Sequence, residues 1–126
     1  MRRFRFAQTL AAEVGARELR VWVAASFPER LLGLAWLPGI PPCRGLLIPA
    51  CAAVHTWGMR FPLDIAFLEW PPAPHGPLLS LREWVPPRRA ERIARPARHT
   101  AVLEVPAGIL GAGYPAVTFK SCLRAT

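Results

Sequence analysis

The residues with chemistry to offer are few, and they crowd into one stretch. Between Cys51 and Trp70, CAAVHTWGMRFPLDIAFLEW, stand the only aspartate of the chain, Asp64, two of its five tryptophans, one of three cysteines and one of three histidines. Asp64 follows Pro62-Leu63 at the start of an apolar segment, where a carboxylate needs partners because an unpaired buried charge neutralises instead. Two arrangements supply them. In the first, Asp64 accepts backbone amides of the turn ahead of it and pairs with Arg60, fixing the chain as the strand begins. In the second, Asp64 works with Glu104, or with His55, as a general acid/base pair of the kind hydrolysis uses. The first is the expectation and the second the alternative.

Cys51 and His55 form a Cys-x-x-x-His pair, and Cys43 lies eight residues before Cys51. A zinc site requires a converging fourth ligand, and Pro49 between the cysteines opposes a knuckle, so no metal is expected. A Cys51/His55 nucleophilic pair would need an oxyanion-forming, glycine-rich turn beside it, which this stretch lacks. Trp57 and Met59 alternate, with Phe61 two further on, and read first as a core stripe. With Arg60, Asp64 and His55 at its mouth, the same stripe would line an apolar small-ligand pocket, which makes Trp57, Met59, Arg60 and Asp64 the candidate binding residues. From Arg88 to Arg98 the chain carries five arginines, with Arg89, Arg92, Arg95 and Arg98 at steps of three. Pro86, Pro87 and Pro96 oppose a helix there. The tract is expected as an exposed basic loop, with phosphate or nucleic-acid contact through Arg89, Arg92 and Arg95 as its sharper alternative.

The elements that must position these residues are bounded by composition. A chain of 126 residues, 52% of them apolar, is one domain able to bury a core without disulfide or metal staples. Charge is lopsided, with 16 Lys+Arg against 8 Asp+Glu, a balance that attracts nucleic acid, acidic proteins or anionic surfaces. Basic and aromatic residues do not interleave along the chain as in single-strand binders. The basic start, MRRFRFAQTL, lacks a continuous apolar core behind it, since Glu13, Arg17, Glu18 and Arg20 interrupt, so a signal peptide is not expected. Pro38, Pro41, Pro42 and Pro49 divide the weakly charged stretch from Leu31 to Met59 into pieces too short to span a bilayer. A cytoplasmic protein without a disulfide framework is the expectation, with Cys122 as a small buried residue.

Residues 1–18 pattern weakly, and an edge strand or tail is expected there. Leu19–Val23 alternates and is rich in β-branched residues, as strands are. Ser26-Phe27-Pro28-Glu29 matches a capping box with proline in the first turn, and Leu31, Leu32, Leu34 and Ala35 follow at helical spacing until Pro38-Gly39. One short helix is predicted near residues 27–36. Further strands are predicted over residues 45–49, 54–59, 63–70, 78–85, 100–105 and 117–119. Both parity sets of the 63–70 segment are apolar, which suits a strand covered on both faces. The proline-rich residues 71–77 connect it to the next strand in a hairpin. About six to eight short strands with one helix amount to a mainly β, β-rich α+β domain, a sandwich or partly closed barrel.

Three blocks resemble domain-of-unknown-function family 192. His55-Thr56-Trp57-Gly58-Met59-Arg60-Phe61-Pro62-Leu63-Asp64-Ile65-Ala66-Phe67-Leu68 resembles its signature of an aromatic-x-Met, a short turn and Pro-Leu/Ile-Asp before a hydrophobic strand. Residues 25–34, ASFPERLLGL, look like its T-x-x-E-R-x-x-G-L helix. Residues 102–108, VLEVPAG, look like its strand and turn ending in Pro-Ala-Gly. Together the blocks cover roughly residues 20–110. The resemblance implies a mostly β domain with a helix on one side and implies no established activity. Two loops depart from the pattern. PPAPHGP replaces the Asp-x-x-Gly turn after the signature strand, and GAGYPAV lacks the Gly-Asp turn before the last strand.

The function expected is that of a small binding or accessory module, for a small molecule or protein partner, with a pocket beside the signature. No cofactor is expected. A hydrolase-like enzyme using Asp64 with Glu104 or His55 is the alternative, and nucleic-acid binding through the Arg tract the third.

Overall fold

Runs of Val, Leu, Ile and Phe with little charge make strands that tolerate burial on both sides, and three such strands organise this molecule. The computed structural model describes residues 8–14, 17–24, 26, 33–35, 37–40, 44–51, 53–70, 78–93, 100–111, 117–119 and 124–125. Among them are strands β1 (Gln8–Val14), β2 (Arg17–Val23), β3 (Arg44–Ile48), β4 (Ala53–His55), β5 (Leu63–Glu69), β6 (Leu78–Val85), β7 (Ala90–Arg92), β8 (Thr100–Pro106), β9 (Thr118–Phe119) and β10 (Arg124–Ala125). One eight-stranded sheet has the order β10-β1-β2-β3-β8-β5-β6, with β9 also pairing β1, while β4 and β7 form a two-stranded sheet. All pairs are antiparallel except β2 with β3.

Residues 45–48, 63–68 and 100–105 of β3, β5 and β8 are buried throughout. Their side chains alternate between two cores. Leu47, Ala66, Leu103 and Val105 join Val21 and Val23 on one face; Leu46, Ile48, Ile65, Phe67 and Val102 join Trp22 on the other. Phe67 has no exposed surface, and burial of such a ring contributes about 1.5–3 kcal/mol. Gly45 lets β3 approach β8: a Cβ there would lie 2.8 Å from Val105 Cγ1 and 3.0 Å from the Glu104 carbonyl oxygen.

Most of the predicted strands are present, and β5 is covered on both faces as its composition implied. Three differences have physical causes. The strand predicted over residues 54–59 stops at His55, because the Met59 amide donates to the Thr56 carbonyl at 3.1 Å and closes a turn. Gly58 supplies the positive φ, +84°, that the turn requires. The N-terminal segment holds no edge position along β1, which pairs β2 on one side and β9 and β10 on the other. Inside the Arg tract, residues 90–92 form β7 rather than loop, paired with β4.

The two-stranded sheet packs on the second core through Val54 of β4 and Ile93 just after β7. Among the described residues there is no helix, and none long and apolar enough to cross a membrane. Residues 27–32 and 36 of the predicted helix lie outside the described residues, as do Phe4, Phe6 and residues 71–77. Residues 33–35 form a turn, and Leu34 packs in the second core as its place in the apolar stripe implied.

Candidate functional site

The register between β5 and β8 decides the chemistry. Asp64 lies opposite Val105, and Ile65 opposite Glu104. Side chains alternate along a strand, so the two buried carboxyls project from opposite faces of the sheet. They share no cavity, and the acid/base pair of Asp64 with Glu104 is not assembled.

Asp64 is fully buried, and both of its carboxylate oxygens are held by backbone amides. One carboxylate oxygen accepts the Trp84 amide at 2.9 Å; the other accepts the amides of Gly108 at 2.9 Å and Leu110 at 3.0 Å. Each donor sits where the chain departs from regular strand. On β6, Glu83 and Trp84 together oppose the single Asp64, a bulge that puts Trp84 at φ +54°. After β8, Gly108 turns at φ +94°, and the Ala107 amide donates to the Pro62 carbonyl at 3.2 Å. The Pro-Leu-Asp and Pro-Ala-Gly blocks therefore meet in space, with Asp64 as the joint between them. The expectation of backbone amides holds, but they come from two distant elements rather than from the preceding turn. Arg60, expected as its ion partner, is exposed and forms no ion pair with Asp64.

A second clamp escaped the sequence reading. Thr56, 1% exposed, donates its hydroxyl to the Pro86 carbonyl at 2.7 Å and accepts the Arg89 amide at 2.8 Å. Its own amide donates to the Arg89 carbonyl at 2.8 Å. The turn after β4 is thus fastened to the loop after β6. The available signal was a threonine just ahead of a glycine turn, with no apolar pattern to explain it. Arg82 reinforces the junction of the two sheets: it pairs with Glu91 at 3.2 Å and donates to the Arg92 carbonyl at 3.1 Å and to the Ser80 hydroxyl.

On the other face, Glu104 occupies the middle of a row that runs Trp22, Leu46, Glu104, Ile65, Arg82 across five strands. Its neighbours on β3 and β5 are thus apolar. The residue is 4% exposed; no described residue gives its carboxyl a hydrogen bond, and since no described side-chain oxygen is both sealed and unpartnered, the carboxyl opens on the cleft. Burial without compensation pushes its pKa from the ordinary 4.5 to about 7. The carboxyl faces a cleft of about 120 Å³ between the sheet, the 33–35 turn and the chain from Cys51 to Trp57. Leu34, Ala35 and Ile48 supply apolar wall, and Cys51, His55 and Trp57 stand on the side of the signature. His55 Nδ1 accepts the Trp57 amide at 3.2 Å. The Cys51 thiol donates to the Ala53 carbonyl at 3.1 Å and is free. A group poised near neutrality in such a place can donate or accept a proton, or hold a cation.

The expected binding residues are therefore divided. Trp57 is 55% exposed and lines the cleft, Met59 is buried in the second core, Arg60 faces solvent and Asp64 belongs to the opposite face. The alternation of Trp57 with Met59 fails because they sit on a turn, not a strand. His55 joins Glu104 in the cleft and is not among the groups bonded to Asp64. Arg88, Arg89 and Arg92 are exposed; Arg95 and Arg98 lie outside the described residues, as do Cys43 and Cys122. Among the described residues no group of three or more His, Cys, Asp and Glu converges on a point that would hold a metal.

Comparison with known proteins places this geometry in a family. The model of domain-of-unknown-function family 192, DUF192, described as "Uncharacterized ACR", matches residues 9–112. No curated protein matches the chain. Among solved structures, a candidate transcription regulator from Sinorhizobium meliloti 1021 is similar with a TM-score of 0.70 at 21% identity, over 94% of this chain and 97% of that one. A protein of unknown function from Novosphingobium aromaticivorans DSM 12444 is similar with a TM-score of 0.69 at 19% identity, over 90% and 84%. At these identities the likeness is one of fold.

Proposed function

The chain belongs to domain-of-unknown-function family 192, and we propose that it acts as a binding module for a small molecule seated in the Glu104 cleft. The observation that carries this reading is the buried carboxyl of Glu104, which faces the cleft and has no partner among the described residues. Keeping such a group costs stability, and a ligand that completes its bonding recovers that cost on binding. Trp57 at the rim adds an exposed aromatic surface of the kind ligands use. The test is a fragment set screened by NMR against the wild-type protein and Ala53→Trp, which fills the exposed rim of the cleft. Fragments that shift the Trp57 indole and His55 ring signals in the wild type, and lose this in the variant, support the reading. Fragments that map instead to the hollow beside Ala11, Glu18, Leu19 and Arg20 would overturn it.

A second reading, nucleic-acid contact, is favoured by the exposure of Arg88, Arg89 and Arg92 in a chain of net charge +8. It requires RNA or DNA affinity that falls steeply with salt. Arg89→Ala, Arg92→Ala and Arg95→Ala combined should abolish that affinity; unchanged binding by this triple variant sinks the reading.

A further inference from the structure

We infer that the cleft takes a cationic group, an alkylammonium or guanidinium, with Glu104 as its counter-ion and the Trp57 indole over its stem. This rests on the proposed cleft and adds the chemical class of its ligand. The wall is apolar at Leu34, Ala35 and Ile48 and ends at one buried carboxyl. An anion there would meet a second negative charge in a desolvated place, and a neutral alcohol would leave the carboxyl without a charge partner. An ammonium or guanidinium brings several donors and the opposite charge. The half-exposed indole supplies a π-face of the kind that attracts such cations. At about 120 Å³ the hollow is well below the roughly 300 Å³ where drug-sized sites begin. It has room for a head group and a short stem, while the rest of the ligand lies outside.

The cations already nearby are engaged elsewhere. Arg82, one strand beyond Ile65 in the same row, is bound to Glu91 and the Arg92 carbonyl. Arg44, on β3 and of the same parity as Leu46, lies over the Trp22 ring at 5.3 Å. His55 and Cys51 are the other titratable groups of the described residues that line the cleft. Glu104, whose ionisation lies near pH 7, supplies the negative charge that holds a cation. Binding therefore strengthens as pH rises.

The test titrates n-butylammonium, n-butanol and butyrate against the full chain, read by NMR at the Trp57 indole and His55 ring. Butylammonium should bind in preference to the other two. Its affinity should fall about tenfold between pH 8 and pH 6, as the ionised share of a group near pH 7 declines. Glu104→Gln should lose at least tenfold and the pH dependence together, while His55→Asn, whose side-chain oxygen can still accept the Trp57 amide, should keep the pH dependence. Trp57→Ala, at an exposed position, should bind severalfold more weakly. An acetylated, amidated Gly-Gly-Lys-Gly-Gly peptide that binds more tightly than butylammonium identifies a protein side chain as the source of the cation; equal affinity identifies a free amine. If butanol or butyrate shifts the two signals and butylammonium does not, the cleft stands and the cationic class is overturned. If none of the probes shifts them, both fail. Loss of pH dependence in His55→Asn with retention in Glu104→Gln would overturn the role given to Glu104.

Discussion

Asp64 and Glu104 are two carboxyls on neighbouring strands, one 0% and the other 4% exposed, with opposite surroundings. Asp64 accepts three backbone amides, one from the β6 bulge and two from the turn after β8. Glu104 accepts none from the described residues and faces a cleft. A carboxylate whose two oxygens both accept backbone amides acts as a structural joint, tying the β6 bulge to the turn after β8. An unsaturated one reduces stability and retains bonding capacity for something else. Burial alone thus does not distinguish structure from function; the count of satisfied lone pairs does.

The largest effect that would break this contrast is at Asp64. Asp64→Asn keeps the shape but turns an NH₂ toward backbone donors, and should cost about 3 kcal/mol, lowering Tm by roughly 10 °C; urea and thermal melts check it. A loss under about 1 kcal/mol would show that Asp64 is no joint.

Glu104→Gln should act in the opposite direction. The folded-state pKa, about 7, stands above the ordinary 4.5, so the folded state binds the proton more tightly than the unfolded one. Wild-type stability is therefore greatest on the acid side and declines as pH rises from 4.5 to 7, by about 3 kcal/mol in all. The glutamine variant should lack that decline and be more stable than wild type at pH 8 by about 3 kcal/mol, with the two converging below the ordinary pKa of 4.5. Melts across this range that run parallel would remove the claim that Glu104 is held at a cost.

The smallest effect sharpens the contrast from the other side. Arg60→Ala should change stability by no more than about 0.5 kcal/mol, because Asp64 is completed by amides without it. Denaturant midpoints of the two proteins should coincide, and a loss of several times that size would restore the Arg60 pair expected from spacing alone.

Much of the scaffold was legible in the residues. Alternation at Leu19–Val23 and Thr100–Val105, and apolar residues of both parities in Leu63–Glu69, mark strands whose burial follows from local pattern. Pro62 and the Pro106-Ala107-Gly108 turn mark where those strands begin and end. Trp57 and Met59 misled, because a strand and a glycine turn can carry the same alternation over four residues. The hydrogen bond from Met59 to Thr56 decides between them. At Thr56 the sequence marks only a polar residue ahead of a glycine turn, and its partners, Pro86 and Arg89, are about thirty residues away.

The sequence by itself determined a mainly β domain, the identity of its interior strands and the singularity of Asp64, because hydrophobic period and turn chemistry act over a few residues. Only the tertiary structure decided which face each carboxyl takes. Asp64 and Glu104 are 40 positions apart, and their relation depends on the pairing of β5 with β8, in which Ile65 rather than Asp64 lies opposite Glu104. A slip of one residue would put both on the same face. The observed register instead gives one carboxyl to the backbone and leaves the other to the cleft.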